Sequence, residues 1–497
     1  MKRILLGGGL ILTCLLFLSV VGLAQPLTTD PEISAIVSSV DSSRILNTAQ
    51  TMQNFRTRQS CSDQPEPGHG VTAARDYLFN QYSSIPGLQV RLDPFVHARC
   101  PNAPTFNVIA WLPSEDEPAP LVIIGGHYDS RTTNVNDAVS DAPGGNDAGA
   151  QTGVVLELAR VLAGHHFNAT IVFMSFSGEE QGLFGSSSIA ANLGRYFPES
   201  TVIAMLNTDI PGGDNTANTP ADLQFFRLYS PGIPRERLST TPDGTTDNTS
   251  PSRGVMRYIG AWGGAYVPAI TMAPKLREDR PGRASDHAAF INNAFPAVRF
   301  METFECSPSP VDNSCGAPLP CPPPANIPTS CKDTTFVTTH QHSPNDLVQF
   351  LTLGYSAKIA QVMASVAASL ARAPGSPRNF TATGNSVQGV TVNFIPPDVG
   401  QVDHFIVAAR SVSENFYRQR VNVSKGKQVS AQTLGLNPGD SFFVSVAAVD
   451  KQGHESLFAY PEVRCDSSSC AIPTYAFDVT APLPPPPPAT DDADEEN

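Results

Sequence analysis

The chain is poor in charge, and poorer in positive charge than in negative. Charged residues make up 16% of 497 positions, with 32 Lys and Arg against 46 Asp and Glu, for a net charge of −14. No basic patch or stripe occurs, which argues against nucleic acid as a partner. No C-x2-C pair occurs among the 9 cysteines, which argues against a zinc ribbon. Beyond the N-terminus no segment approaches the apolar length that crosses a bilayer. What is present is proline, 45 residues of it, and a hydrophobic content of 41%, enough to build a core. The length suits two or three domains.

The N-terminus reads as a secretory signal over residues 1–24. Lys2 and Arg3 supply the positive start, Ile4 to Leu23 is apolar, and Gly22-Leu23-Ala24 offers a small-residue cleavage site. The alternative is an uncleaved anchor, because the apolar run is nearly long enough to span. The expected location is therefore secreted or periplasmic. Cys14 falls in that segment, leaving Cys61, Cys100, Cys306, Cys315, Cys321, Cys331, Cys465 and Cys470. An even set in an exported chain reads as disulfides, in any of 105 pairings. Sequence proximity suggests Cys61–Cys100, a set within 306–331, and Cys465–Cys470.

Ile33 to Phe55 and Val71 to Tyr82 carry helical spacing, and Leu88–Leu92 and Asn107–Leu112 read as strands. From Leu121 to about Ala371, short apolar strands alternate with helical stretches such as Thr152–Ala163. That pattern predicts an α/β domain over 32–373: a mixed central sheet with helices on both faces. Residues 303–335 interrupt it with cysteines and prolines, a long loop expected to border the site. A helix is predicted over Asp346–Ala371. Pro374-Gly-Ser-Pro377 reads as a linker, and 374–480 turns all-β. Val390–Phe394, Phe405–Arg410 and Phe442–Val449 are strand runs of a small β-sandwich. Residues 481–497 are Pro-rich and acidic, a composition that predicts disorder.

Five segments carry carboxylates or imidazoles, four of them at the ends of apolar runs and the last after a loop. They are His127-Tyr-Asp129, Gly144-Gly-Asn-Asp147, Glu179-Glu180, Asp209 after Val202–Thr208, and His342-Ser-Pro-Asn-Asp346. In open α/β sheets, ligands gather beyond the carboxyl ends of strands. Catalytic zinc takes nitrogen and oxygen ligands, and a pair of ions needs a carboxylate between them. Asp147, in a Gly-rich turn before a helix, suits the bridge. His127 is a natural ligand, and Asp129 stands where it could orient that imidazole. Paired Glu179 and Glu180 let one carboxylate bind metal while the other acts on water. Singly, each has a plainer reading: Asp147 as a helix cap, the glutamate pair as a solvated face.

Together these motifs resemble the co-catalytic di-zinc aminopeptidase family, relatives of glutamate carboxypeptidase and glutaminyl cyclase. Further matching text is Glu179-Glu-Gln-Gly-Leu-Phe-Gly-Ser186, Asn207-Thr-Asp209 and Ser285-Asp-His-Ala-Ala-Phe290, and the resemblance runs over roughly residues 35–370. It implies a zinc exopeptidase-like fold and two Zn2+ ions. One would be held by His127, Asp147 and Asp209, the other by Asp147, Glu180 and His342. Glu179 would be the general base, taking a proton from the attacking water and passing it to the leaving amine. Asp286 and His287 match a segment near the family's substrate pocket and are expected to bind substrate. Leu434–Gly439, Phe442–Asp450 and Gly453–Ser456 resemble a fibronectin type III domain.

The expected activity is an exported aminopeptidase acting on peptides. A carboxypeptidase or dipeptidase, a glutaminyl cyclase, and a non-catalytic binding protein on the same fold are the alternatives. The cyclase resembles a single-zinc site, whereas ligands for two ions stand here. Glu302 and Glu305 are candidates for recognising a free amino terminus. His340 competes with His342 as ligand, and the Ser-Pro-Asn-Asp346 that follows favours His342. The sandwich is expected to be a spacer, with contact to a surface or matrix as the alternative.

Overall fold

The computed structural model describes residues 27–62, 68–101, 105–116, 118–214, 224–232, 249–280, 283–303, 340–352, 354–397, 401–424 and 426–473. The expected signal, Cys306, Cys315, Cys321 and Cys331, Glu305 and the acidic tail lie outside them.

Strands β1 (Gln89–Phe95), β2 (Thr105–Leu112), β3 (Leu121–His127), β4 (Thr170–Phe176), β5 (Val202–Thr208), β6 (Phe225–Tyr229), β7 (Thr271–Lys275) and β8 (Ala297–Met301) form one sheet. It is 8-stranded, in the order β1-β2-β4-β3-β5-β8-β6-β7. The centre, β4-β3-β5-β8, is parallel. Antiparallel pairings flank it, β1-β2-β4 on one side and β8-β6 on the other. The central strands are buried on both faces, as continuous apolar runs require. Along β3 the side chains alternate between two cores. Val122 and Ile124 meet α1 (Pro31–Ser38), α2 (Ser42–Asn54), α3 (Gly70–Ser83), α4 (Gln151–Leu162) and α9 (Tyr355–Arg372). Leu121 and Ile123 meet α5 (Phe184–Ala191) and α8 (His287–Asn292). Each fully buried Leu or Ile contributes about 1.5–3 kcal/mol.

Two expected helices are cut short by polar groups. The stretch 33–55 is two helices, because Asp41 caps the second: its side chain accepts from Ser43 N, and its own N–H donates to buried Glu157 at 2.8 Å. The helix expected from Asp346 begins at Tyr355, behind Gly354 with φ 87°. Asp346 is occupied elsewhere, accepting from the backbone N–H groups of Asn146 and Asp147 at 2.7 and 3.0 Å.

After α9, strands β9 (Arg378–Asn385), β10 (Gly389–Ile395), β11 (His404–Ser411), β12 (Gln419–Val423), β13 (Gln428–Val429), β14 (Phe442–Val449), β15 (Val463–Cys465) and β16 (Cys470–Ala471) form two sheets. Their orders are β13-β10-β9 and β12-β11-β14-β15-β16. Phe380, Val392, Val407 and Val444 fill the core between them. Cys61–Cys100 and Cys465–Cys470 are disulfides.

The sandwich is docked on the first domain. It meets the first domain at α6 (Pro251–Tyr258) and at Trp262, just before α7 (Gly264–Tyr266). Arg257 Nε donates to Asn415 O at 2.8 Å, and Tyr258 OH donates to Glu455 O at 2.9 Å. The His454 ring lies 2.7 Å from both Asp30 and Asp450. Leu457 packs against the core of the first domain. Short apolar and ionic contacts of this kind come from residues far apart in sequence, so no local pattern announces them.

Candidate metal centre

β3 ends on His127, β4 ends shortly before Glu179 and Glu180, and β5 ends just before Asp209. β3 lies between β4 and β5. The connection from β3 to β4 runs through α4 on one face, and that from β4 to β5 through α5 on the other. The two connections part at the carboxyl end of β3, the switch point where open α/β sheets bind ligands. Asp147 arrives from a wide turn, Gly145–Ala150, closed by Gly149 N donating to Gly144 O at 2.8 Å. Gly144 has φ 50°, and a Cβ there would overlap Asp147 O, so glycine is required.

The side chains converge tightly. His127 Nε2 lies 3.2 Å from Asp147 Oδ1 and 3.4 Å from Asp209 Oδ1. His342 Nε2 lies 3.2 Å from Asp147 Oδ2 and 3.2 Å from Glu180 Oε2. Glu179 Oε2 stands 4.0 Å from His127 Nε2. Two ligand sets result, His127–Asp147–Asp209 and Asp147–Glu180–His342, each with its atoms within 4.8 Å of one another. Asp147 belongs to both. Asp147 Oδ1 and Glu180 Oε1 are buried and, among the described residues, accept no hydrogen bond. Orphaned buried acceptors are costly unless something fills them, and oxygens with imidazole nitrogens are the donor set zinc takes. The residues therefore fit the ion.

The electrostatics say the same. Burial opposes charge on His127, but Glu179, Asp129, Asp147 and Asp209 outweigh it and lift the imidazole well above its usual range. Burial pushes Asp147 up, yet His127 and His342 hold it well below the usual carboxylate range. A site that draws protons onto its imidazoles this strongly is a site for cations. Glu179 goes the other way: burial first, then Asp209, Glu180 and Asp286, push it well up against the pull of His127.

Surrounding groups fix the cluster. Asp129 is fully buried. Its carboxylate accepts from the N–H groups of Glu179 and Glu180 at 3.3 and 3.2 Å and from Ser60 Oγ at 3.2 Å, and it lies 3.6 Å from His127 Nδ1. Arg299 reaches Asp209 Oδ2 at 2.9 Å and pairs with Asp279 behind it. Gln341 Nε2 donates to Asp147 Oδ2 at 2.6 Å. Arg58, fully buried, donates to the carbonyls of Tyr128, Met52, Pro143 and Gly144 and so ties the Asp147 turn to β3. Arg131, whose Nε donates to Glu180 Oε2 at 2.8 Å, carries no sequence signal of its own, and neither do Arg299, Gln341 and Arg58. Asp346 did, as the last residue of the His342 motif.

Four further residues singled out in the sequence take the following places. Asp286 and His287 are both 0% exposed, and Asp286 stands close enough to the cluster for its charge to act on His127 and Glu179. His287 Nε2 faces Glu278 O at 2.9 Å, and burial pushes Asp286 up to about 7. Glu302 is buried, holding Asn146 Nδ2 at 3.1 Å and Asp214 N at 3.0 Å, so it braces the turn rather than meeting an amino terminus. His340 pairs with Asp214 at 2.9 Å, away from the ligand sets. A cleft of about 730 Å³ runs along the seam between the domains. Its lining includes Pro120, Val202 and Pro296, at the opposite ends of the strands from the cluster, so it is not the catalytic cleft.

A doubly wound sheet with this cluster at its switch point defines a metal-dependent hydrolase. The chain belongs to peptidase family M28, whose model matches residues 107–367, and the fibronectin type III model matches residues 375–461. It is a metallopeptidase, and peptides are its substrate class. A probable zinc metalloprotease of Leptosphaeria maculans is 28% identical over 455 residues, covering 89% of this chain and 99% of that protein. Another, of Pyrenophora tritici-repentis, is 30% identical over 460 residues, covering 87% and 98%. Among solved structures, the Legionella pneumophila LapA aminopeptidase is similar at 18% identity and TM-score 0.48, over 68% of this chain and 74% of that one.

Proposed function

We propose that this chain is an exported two-zinc aminopeptidase that removes N-terminal residues from peptides. The observation that carries the reading is the sharing of Asp147 between two ligand sets, with the Glu179 carboxyl beside them. His127, Asp147 and Asp209 would hold one zinc, and Asp147, Glu180 and His342 the other. Bound zinc supplies a Lewis acid that polarises the scissile carbonyl and lowers the pKa of water. Glu179 takes the proton of the attacking water and delivers it to the leaving amine. Its displaced pKa and its burial suit a group that must both accept and give a proton. Asp129 is a positioning residue: it sets the His127 ring and pins the backbone of Glu179 and Glu180. Lys2-Arg3, the apolar run and Gly22-Leu23-Ala24 support export with cleavage after residue 24.

The test compares leucyl p-nitroanilide with its N-acetylated form, each with and without a chelator, on the mature chain. Chelator-sensitive cleavage of the free-amine substrate alone is the expected result. Cleavage of the acetylated form at an equal rate, or of neither, would reject an aminopeptidase. N-terminal sequencing of the protein recovered outside expressing cells tests export; an intact residue 1 there would reject cleavage.

A further inference from the structure

Arg131 lies just past the carboxyl end of β3, beside the cluster. Its Nε donates to Glu180 Oε2 at 2.8 Å, the same oxygen that stands 3.2 Å from His342 Nε2. Its Nη1 donates to the carbonyls of Thr132 and Thr133 at 3.3 and 3.4 Å. Among the described residues Nη2 has no acceptor. The side chain is 13% exposed.

Two zinc ions would outweigh the ligand carboxylates of Asp147, Asp209 and Glu180 without any help from Arg131. With Glu180 engaged by metal, the guanidinium is an excess cation beside the metal centre, partly open to solvent. Its Nε–H is held by Glu180, and its Nη2–H lies on the same edge of the planar guanidinium, free to give one charge-assisted hydrogen bond to a carboxylate brought up beside Glu180. The edge is close to the reacting centre. Its Nε is one hydrogen bond from a ligand oxygen, and a peptide chain advances about 3.3–3.6 Å per residue. A carboxylate one residue from the scissile carbonyl therefore falls within its reach. A bare α-ammonium brought to the same edge is repelled.

We propose that Arg131 is a specificity residue that selects substrates carrying a carboxylate one residue beyond the scissile bond. The C-terminal carboxylate of a dipeptide and the side chain of a flanking acidic residue share that chemistry. The inference rests on the aminopeptidase reading and deepens it.

The test uses the full mature chain, zinc-loaded, as wild type, Arg131→Gln and Arg131→Lys. The substrates are Leu-Leu, Leu-Leu-amide, Leu-Glu-amide and leucyl p-nitroanilide, and bound zinc per chain is measured alongside. The wild type is expected to prefer Leu-Leu, or Leu-Glu-amide, over Leu-Leu-amide in kcat/KM. The first preference assigns the terminal carboxylate and the second the side chain. Arg131→Gln is expected to cut that preference about tenfold to hundredfold, the worth of a charge-assisted hydrogen bond, with zinc content unchanged. Arg131→Lys is expected to restore part of it. A wild type that cleaves all four substrates without preference overturns the proposal and leaves the aminopeptidase reading standing. So does an Arg131→Gln variant that loses zinc or slows on every substrate in proportion, since Arg131 would then only hold Glu180. A zinc-loaded wild type that cleaves none of the four rejects both.

Discussion

Two buried clusters of charge sit at opposite ends of the first domain's strands, and they are built on opposite terms. At the domain seam, Glu462 accepts from Arg410 Nε and Nη2 at 3.0 and 2.6 Å and from Tyr417 OH at 2.8 Å, with Arg257 3.6 Å away. Every oxygen there has a donor, and Arg257, Arg410 and Tyr417 hold Glu462 below the usual carboxylate range against burial. At the metal centre the acids face one another, and Asp147 Oδ1 and Glu180 Oε1 are left over. A satisfied cluster holds structure together. An unsatisfied one waits for a ligand, and its surroundings have to keep it in place until then.

Substitutions can break this contrast. The largest effect is expected from Asp147→Ala, which removes the residue common to both ligand sets; zinc retention measured by metal analysis should fall with activity. A variant that keeps its zinc and its turnover would end the bridging assignment. Glu179→Gln should keep zinc but lower kcat by about 10²–10⁴-fold, the usual worth of a positioned acid–base group. Unchanged kcat would remove Glu179 from the chemistry. At the seam the order reverses. Glu462→Ala leaves Arg410 buried without its carboxylate and should cost about 3–5 kcal/mol in urea unfolding, while the folded fraction keeps its kcat. Loss of kcat at full stability would mean that the seam and the site are not separate.

The smallest effect concerns pH. Burial, then Asp214, push Glu302 up to about 8 from 4.5. Between those values the native chain holds a proton there that the unfolded chain has shed, so stability falls as pH rises through that window. Glu302→Gln should flatten the drop in Tm between pH 6 and 8; parallel curves for the two proteins would show that Glu302 does not titrate there.

The same contrast explains what could be read from the sequence. His127, Asp147, Glu179, Glu180 and Asp209 could be read because each closes or opens an apolar run, and strand ends are set locally by hydrophobic pattern, while His342 was marked by the Ser-Pro-Asn-Asp that follows it. The alternation of Leu121–Ile124 between two cores follows from the same pattern. Arg131, Arg299, Arg58 and Gln341 could not be read, because what brings each to the cluster is tertiary. Arg299, for instance, lies inside β8 among apolar neighbours and meets Asp209 only because β5 and β8 pair. The break before Tyr355 escaped for a similar reason: Asp346 is spent on N–H groups two hundred residues away in the chain. The docking of the sandwich depends on Tyr258, Trp262 and Leu457, whose partners lie across a domain boundary. Arg420, for example, stands 6.0 Å over the Trp262 ring.

The segment entering α1 is sewn down on the rear of the molecule. Asp30 N donates to Tyr266 OH at 2.8 Å, the Asp30 carboxylate meets His454 at 2.7 Å, and Arg372 lies 3.5 Å from it. Ala371, next to Arg372, accepts from Asn168 and Ala169 at the start of β4. That anchor is a strand's length, about 20 Å, from the cluster beyond the other end of β4. On the proposed reading, with cleavage after residue 24, the new N-terminus would be tethered through Asp30 far from the chain's own metal centre, and trimming past it would first require the Tyr266 and His454 contacts to let go.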